Sequence, residues 1–222
     1  MEAAVPVGRP RSVARWAALG GLVYVVLFVV GTILLFSGAP SGDSAPAKVI
    51  QWYSDSGHRD RIHFGWILIG LSIMFLLWFV GALRGAVSAV DGEGILAGVV
   101  SLGGGIYAAL ALASVALSDG IRTMSDDTYQ HRVFPELIHA ADDATWVMHA
   151  TGGAALGVMI IAASLAFMWG AVWPTWAGWL GIVVGILALA SIVFFPQFLF
   201  LLWILVVSIW MFRRPHSPSR VA

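Results

Sequence analysis

Apolar, uncharged stretches about twenty residues long recur along this chain, and the segments between them hold most of its charge. A helix of about 20 apolar residues crosses the ~30 Å hydrocarbon core of a bilayer, so the pattern predicts transmembrane helices over residues 16–37, 62–83, 95–118, 145–169, 176–195 and 197–212. Pro174 and Pro196 mark two tight connections, and the last span is near the lower length limit. Pro196 is the only break between the last two stretches, so a single kinked helix, giving five spans, is the alternative. Small residues Ser37, Gly38 and Ala39 follow the first stretch, as at a signal-peptide cleavage site, but its apolar run exceeds the ~7–15 residues of a signal h-region. The expected fold is therefore all-α, a bundle of about six transmembrane helices over residues 16–212, with tails at 1–15 and 213–222.

Charge decides between five and six crossings. Six spans place Arg9, Arg11, Arg15, Arg84, Arg213, Arg214 and Arg220 on one side with only Glu2, Asp91 and Glu93. The positive-inside bias then puts both tails in the cytoplasm, an even number of crossings. Trp16, Trp169, Trp173, Trp176 and Trp210 fall at that same interface, where amphipathic rings prefer the headgroup layer. The other side carries Lys48, Arg59, Arg61, Arg122 and Arg132 against nine acids, so it is net negative.

Composition agrees with a bilayer as the main solvent: 59% of the 222 residues are hydrophobic and 11% charged, against ~25% charged in a soluble domain. Zero net charge argues against a nucleic-acid partner, and the absence of cysteine excludes disulfides, thiolate nucleophiles and Cys-ligated metals. The Ala-, Gly- and Arg-rich usage, with a single lysine, suggests a high-GC bacterium and hence the bacterial plasma membrane. Helices in lipid associate through small residues. Ala97, Ser101 and Gly105, then Gly153 and Gly157, then Gly181 and Gly185, each spaced by four, predict that the third, fourth and fifth spans form the inner bundle. The run Gly103, Gly104, Gly105 reads either as tight packing or as a hinge where a ligand meets backbone.

Five of the six histidines, His58, His63, His131, His139 and His149, fall on the outer side; His216 lies in the C-terminal tail. Segments 38–61 and 119–144 are long enough to fold over the bundle, so a site is expected to face outward. Pro135 is a good first helical residue, and a helix from there aligns Glu136, His139, Asp143, Trp146 and His149 by steps of three or four. Asp60 and His63 stand three apart at the mouth of the second span.

Three chemistries fit these residues, beside a plain alternative. His63, His139 and His149 offer imidazole ligands, and Asp143 or Asp60 a carboxylate ligand or orienting partner, for a divalent metal such as zinc, whose bound water would attack an ester or amide. The His139-x-x-x-Asp143 spacing partly resembles the membrane hydrolase superfamily of alkaline ceramidases and adiponectin-type receptors, although this chain lacks a His-x-x-x-His and a seventh helix. His63 and His149 are alternatively axial ligands of a b-type haem. Transport is disfavoured, because no Asp, Glu, Lys or Arg lies mid-span. In the plain alternative, acids and histidines solvate the outer face and pair with Arg59, Arg61, Arg122 and Arg132.

Ala17 to Tyr24 (Ala-Ala-Leu-Gly-Gly-Leu-Val-Tyr) and Ala45 to Tyr53 (Ala-Pro-Ala-Lys-Val-Ile-Gln-Trp-Tyr) resemble a multi-pass membrane protein family common in actinobacteria. That resemblance implies fold and location and conveys no reaction. The expected role is a binding, sensory or accessory subunit acting through its acidic, His-rich outer face, with the bilayer, a membrane protein or a second copy of the chain as partner.

Overall fold

The computed structural model describes residues 11–40, 44–127, 132–192 and 197–213. All regular structure among them is helical: α1 (Arg11–Phe36), α2 (Pro46–Tyr53), α3 (Ser56–Ser88), α4 (Ile95–Asp127), α5 (Pro135–Trp169), α6 (Thr175–Leu189), a 3-10 turn (Ala190–Ile192) and α7 (Gln197–Arg213). Four helices, α1, α3, α4 and α5, are long and apolar enough to cross a membrane, while α6 and α7 are shorter apolar helices. Large apolar side chains such as Phe64, Trp78, Leu102, Trp179 and Leu202 are exposed on the outside of these helices, a surface suited to lipid.

The helices close a ring. α1 packs on α3, α3 on α4, α4 on α5, α5 on α6, α6 on α7, and α7 back on α1. Large side chains fill the middle: Tyr24, Tyr107, Leu156, Met159, Phe200 and Ile204 are fully buried. The Tyr24 and Tyr107 hydroxyls hydrogen-bond to each other at 2.8 Å, so the two polar atoms in this apolar centre satisfy one another. The rings of Tyr107 and Phe200 meet edge-on at 6.3 Å.

Close backbone approach sets the helix contacts. A Cβ on Gly157 would lie 2.5 Å from the Gly185 carbonyl oxygen, and one on Gly185 would lie 2.8 Å from the Gly157 oxygen, so α5 and α6 touch backbone to backbone. The expected role of Gly157 and Gly185 is met. On α4 the outcome differs: Gly103 and Gly104 face α5 and α3, whereas Gly105 has nothing within 4 Å. The glycine run is thus a packing surface, and its third member looks outward. A second close crossing, unexpected from the spacing, joins α1 to α3, where a Gly31 Cβ would lie 2.9 Å from the Gly65 oxygen.

The last two helices fold back on each other instead of continuing as one kinked helix. Trp203 Nε1 lies 3.1 Å from the Cβ position of Gly181, so α7 lies alongside α6. At the far end, the Arg15 guanidinium sits 4.9 Å from the centre of the Phe212 ring, so α1 begins and α7 ends at the same end of the bundle. Exposed Trp16, Trp169 and Trp176 belong to that end too.

Helices run further than the apolar stretches do. α4 continues from Ser118 to Asp127, and α3 starts at Ser56, where the Asp55 side chain caps it by accepting from the His58 backbone N–H at 3.0 Å. α5 starts at Pro135 as expected, its N–H-free ring occupying a position where no helical partner exists. Among the described residues of segment 38–61, α2 and the first turns of α3 are helical, and α2 folds across this end of the bundle.

Candidate functional site

The polar residues gather at the end where α1 stops, α3 begins, α4 stops and α5 begins. Within it lies a cavity of about 340 Å³ lined by Phe28, Leu35, Phe36 and Ala39 from α1 and its exit, Tyr53 from α2, Ile62, Trp66 and Ile69 from α3, Arg122 from α4, and Asp142, Thr145, Trp146 and His149 from α5. Its walls are mostly aliphatic and aromatic, with one polar corner, the usual make-up of a small-molecule site.

Arg122 organises that corner. Only 7% exposed, its guanidinium donates from Nε to the Tyr53 hydroxyl at 3.0 Å, from Nη1 to the Ser118 carbonyl at 3.0 Å, and from Nη2 to Asp142 Oδ1. The cation also stands about 6 Å from the ring centres of Tyr53 (6.0 Å) and Trp66 (5.9 Å). One side chain therefore joins α2, α3, α4 and α5. A charge buried among apolar walls needs such a full set of partners. Beside it, Ser118 Oγ and Thr145 Oγ1 hydrogen-bond across α4 and α5.

α2 roofs the cavity. Val49 and Tyr53 turn inward and are buried. Arg59 Nη1 donates to the Tyr53 carbonyl at 2.9 Å. The Trp52 and His58 rings stack at 4.3 Å with 7° between planes, and Arg61 lies 5.5 Å from the Trp52 ring centre. Of the arginines expected to pair with acids or histidines, Arg122 does so with Asp142, whereas the contacts of Arg59 and Arg61 here are to backbone carbonyls and a ring.

Among the described residues no helix lies across the cavity's side between α1 and α5. The α6–α7 pair closes the ring between those two helices, but the 3-10 turn after α6 is at the level of Gly153, whose Cβ position is 2.7 Å from Ser191 Oγ. α5 runs another 18 residues beyond Gly153 to Pro135, about 27 Å at 1.5 Å per residue. Phe36, 75% exposed, and Trp146, 48% exposed, frame this gap.

The residues singled out as metal ligands go to different places. His63 Nδ1 lies 2.9 Å from both Asp119 oxygens, so Nδ1–H donates to that carboxylate, and His63 stands outside the cavity lining. Its partner is Asp119 on α4, not Asp60. His149 lines the cavity with Nδ1 2.9 Å from the Thr145 carbonyl in its own helix. Asp143 is exposed, and His139 Nδ1 is buried with no hydrogen-bond partner among the described residues. Among the described residues no three His, Asp or Glu side chains are grouped to hold a metal.

Helix geometry explains the dispersal. Asp143 and His149 are six residues apart, which leaves them a third of a turn out of line, whereas Asp142 and His149 are seven apart, nearly two full turns. The face that turns inward is thus Asp142, Thr145, Trp146 and His149, one register from the face expected. The haem arrangement needs two facing imidazoles, and only His149 of the two faces the cavity. His131 and His216 lie outside the described residues, as do Arg9, Arg214, Arg220 and Pro196.

Arg122, Asp142 and Tyr53 are the residues sequence reasoning did not single out. The available signal was an arginine four residues past the apolar run of α4, in helical register with Ser118.

Compared with protein families, curated proteins and solved structures, the chain matches none of them. The fold and site define a class all the same: a helical bundle with apolar helices of membrane-crossing length and a polar-cornered cavity at one end.

Proposed function

We propose that this chain is a membrane-embedded binding protein that takes a single-chain amphiphile into the cavity at its polar end. The observation that carries this reading is the cavity itself, an apolar volume with one buried charged corner at Arg122. A volume of about 340 Å³ is at the low end of the ~300–1,000 Å³ of small-molecule sites, which suits one chain in place of two. The gap between α1 and α5 lies beside Phe28, Leu35 and Trp146, residues within or at the edge of the apolar stretches, so a ligand enters sideways from the lipid.

The orientation belongs to the same proposal. All six long or short apolar helices cross the bilayer of a bacterial plasma membrane, both tails are cytoplasmic, and the polar end faces outward. Support comes from the hairpin of α6 and α7, the shared end of Arg15 and Phe212, and the arginine and tryptophan bias of that end. The chain has no cysteine, so single introduced cysteines report cleanly. Ser54→Cys is expected to react with a membrane-impermeant maleimide in intact cells, and Ser219→Cys only after permeabilisation; the reverse pattern inverts the topology.

The binding reading is tested by a single-chain amphiphile with a photoactivatable group on its tail, reconstituted with the protein in vesicles. Label is expected on peptides containing Phe36, Trp66 and Trp146. Label spread evenly over lipid-facing residues such as Trp78 and Leu202 would remove the reading.

A further inference from the structure

The polar corner specifies which head group the cavity takes, an inference that rests on the binding reading above. Nε and Nη2 of a guanidinium lie on one edge, so the two acceptors on that edge of Arg122, the Tyr53 hydroxyl and Asp142 Oδ1, stand side by side. Each keeps a function after serving Arg122. The Tyr53 oxygen accepts from Nε, which leaves its own O–H to donate. The Asp142 carboxylate, 43% exposed at its side chain, gives Oδ1 to Arg122 and keeps Oδ2 to accept. A donor and an acceptor thus sit together at the polar corner of an apolar volume.

The charges of the corner cancel. Arg122 is positive and Asp142 negative, and the other ionisable groups in the lining are Tyr53 and His149. An anionic head would meet the Asp142 carboxylate, and displacing it from Arg122 would leave that carboxylate without its partner. A cationic head would meet the like charge of Arg122. Either ion would also lose its own hydration on entry. A hydroxyl brings one donor and one acceptor and no charge, and it matches Asp142 Oδ2 and the Tyr53 O–H together.

We propose that the cavity selects single-chain amphiphiles with a neutral, hydroxyl-bearing head, of the fatty-alcohol or monoacylglycerol type, over ionised amphiphiles of the same chain length. The test is competition against labelling by a photoactivatable fatty alcohol in vesicles. Competitors of one chain length are the plain alcohol, the monoacylglycerol, the alkylphosphate, the alkyltrimethylammonium and the corresponding alkane. The two hydroxyl compounds are expected to compete at about tenfold lower mole fraction than either ion or the alkane. Asp142→Asn, which keeps the side chain's shape and leaves the corner net positive, is expected to move the preference to the alkylphosphate by about tenfold. A merely structural Asp142 would weaken all competitors alike. Equal competition by every compound, or first place for the alkylphosphate on the unaltered protein, overturns the head-group proposal while leaving the binding reading intact. Absence of any specific labelling overturns both.

Discussion

Replacing Arg122 by methionine is expected to lower the thermal midpoint in detergent by roughly 5–10 °C and to loosen α2. The side chain fills similar space, so the loss is of hydrogen bonds and not of volume. Tyr53, the Ser118 carbonyl and Asp142 each lose a charged donor. Breaking a fully buried ion pair costs about 3–5 kcal/mol, and the 43% exposure of Asp142, which can rehydrate, reduces this to about 2–3 kcal/mol. Lys48 is the only lysine of the chain and sits on α2. Cleavage by a lysine-specific protease therefore reads the roof alone, and it is expected to accelerate in Arg122→Met. Arg122→Lys should not restore the midpoint, because one ammonium cannot hold three acceptors set for a planar fork. An unchanged midpoint and unchanged cleavage would show that Arg122 does not join these helices.

Gly157→Leu is expected to be the most disruptive single change in the bundle. A Cβ there meets backbone atoms at 2.5, 2.9 and 3.2 Å, from Gly185, Leu189 and Ala188. Backbone cannot rotate away as a side chain can, so α5 and α6 must separate, at a cost of about 3 kcal/mol or more. Loss of the monodisperse peak on size exclusion, or a midpoint lowered by about 10 °C, is the expected result. Gly105→Leu is the control. Gly105 shares the four-residue spacing with Ala97 and Ser101, yet nothing lies within 4 Å of its Cβ position, so the substitution should leave the midpoint unchanged or raise it slightly through helix propensity. Equal effects at both positions would contradict the packing described.

Those two glycines show how far sequence reaches. Spacing identifies stripes of small residues, but a stripe on α4 can face α5 or lipid according to the rotation of the helix, and nothing local fixes that rotation. The helices themselves were legible because apolar length is a one-dimensional property. So was the start of α5, which Pro135 marks directly. The polar continuation of α4 was not: Asp119 and Arg122 end an apolar run without ending the helix, since His63, Tyr53 and Asp142 satisfy them from other helices. The expected ligand set and the cavity lining differ by one register on α5 for a related reason. His139, Asp143 and His149 attract notice as ligand types, whereas the cavity depends on which side of α5 meets α3 and α4, and that side carries Asp142.

Tail-labelled photo-crosslinking of Ile69→Trp beside the unaltered protein tests most directly whether the cavity holds an amphiphile's chain. Ile69 is 3% exposed, lines the cavity and also packs against Gly31 of α1, so an indole in its place takes up the volume and lowers the melting midpoint by a few degrees through that crossing. Label on the Phe36, Trp66 and Trp146 peptides in the unaltered protein, and its loss in Ile69→Trp that still gives a monodisperse size-exclusion peak, is the predicted result. Equal labelling of both proteins at those peptides would show that the chain does not lie in the cavity.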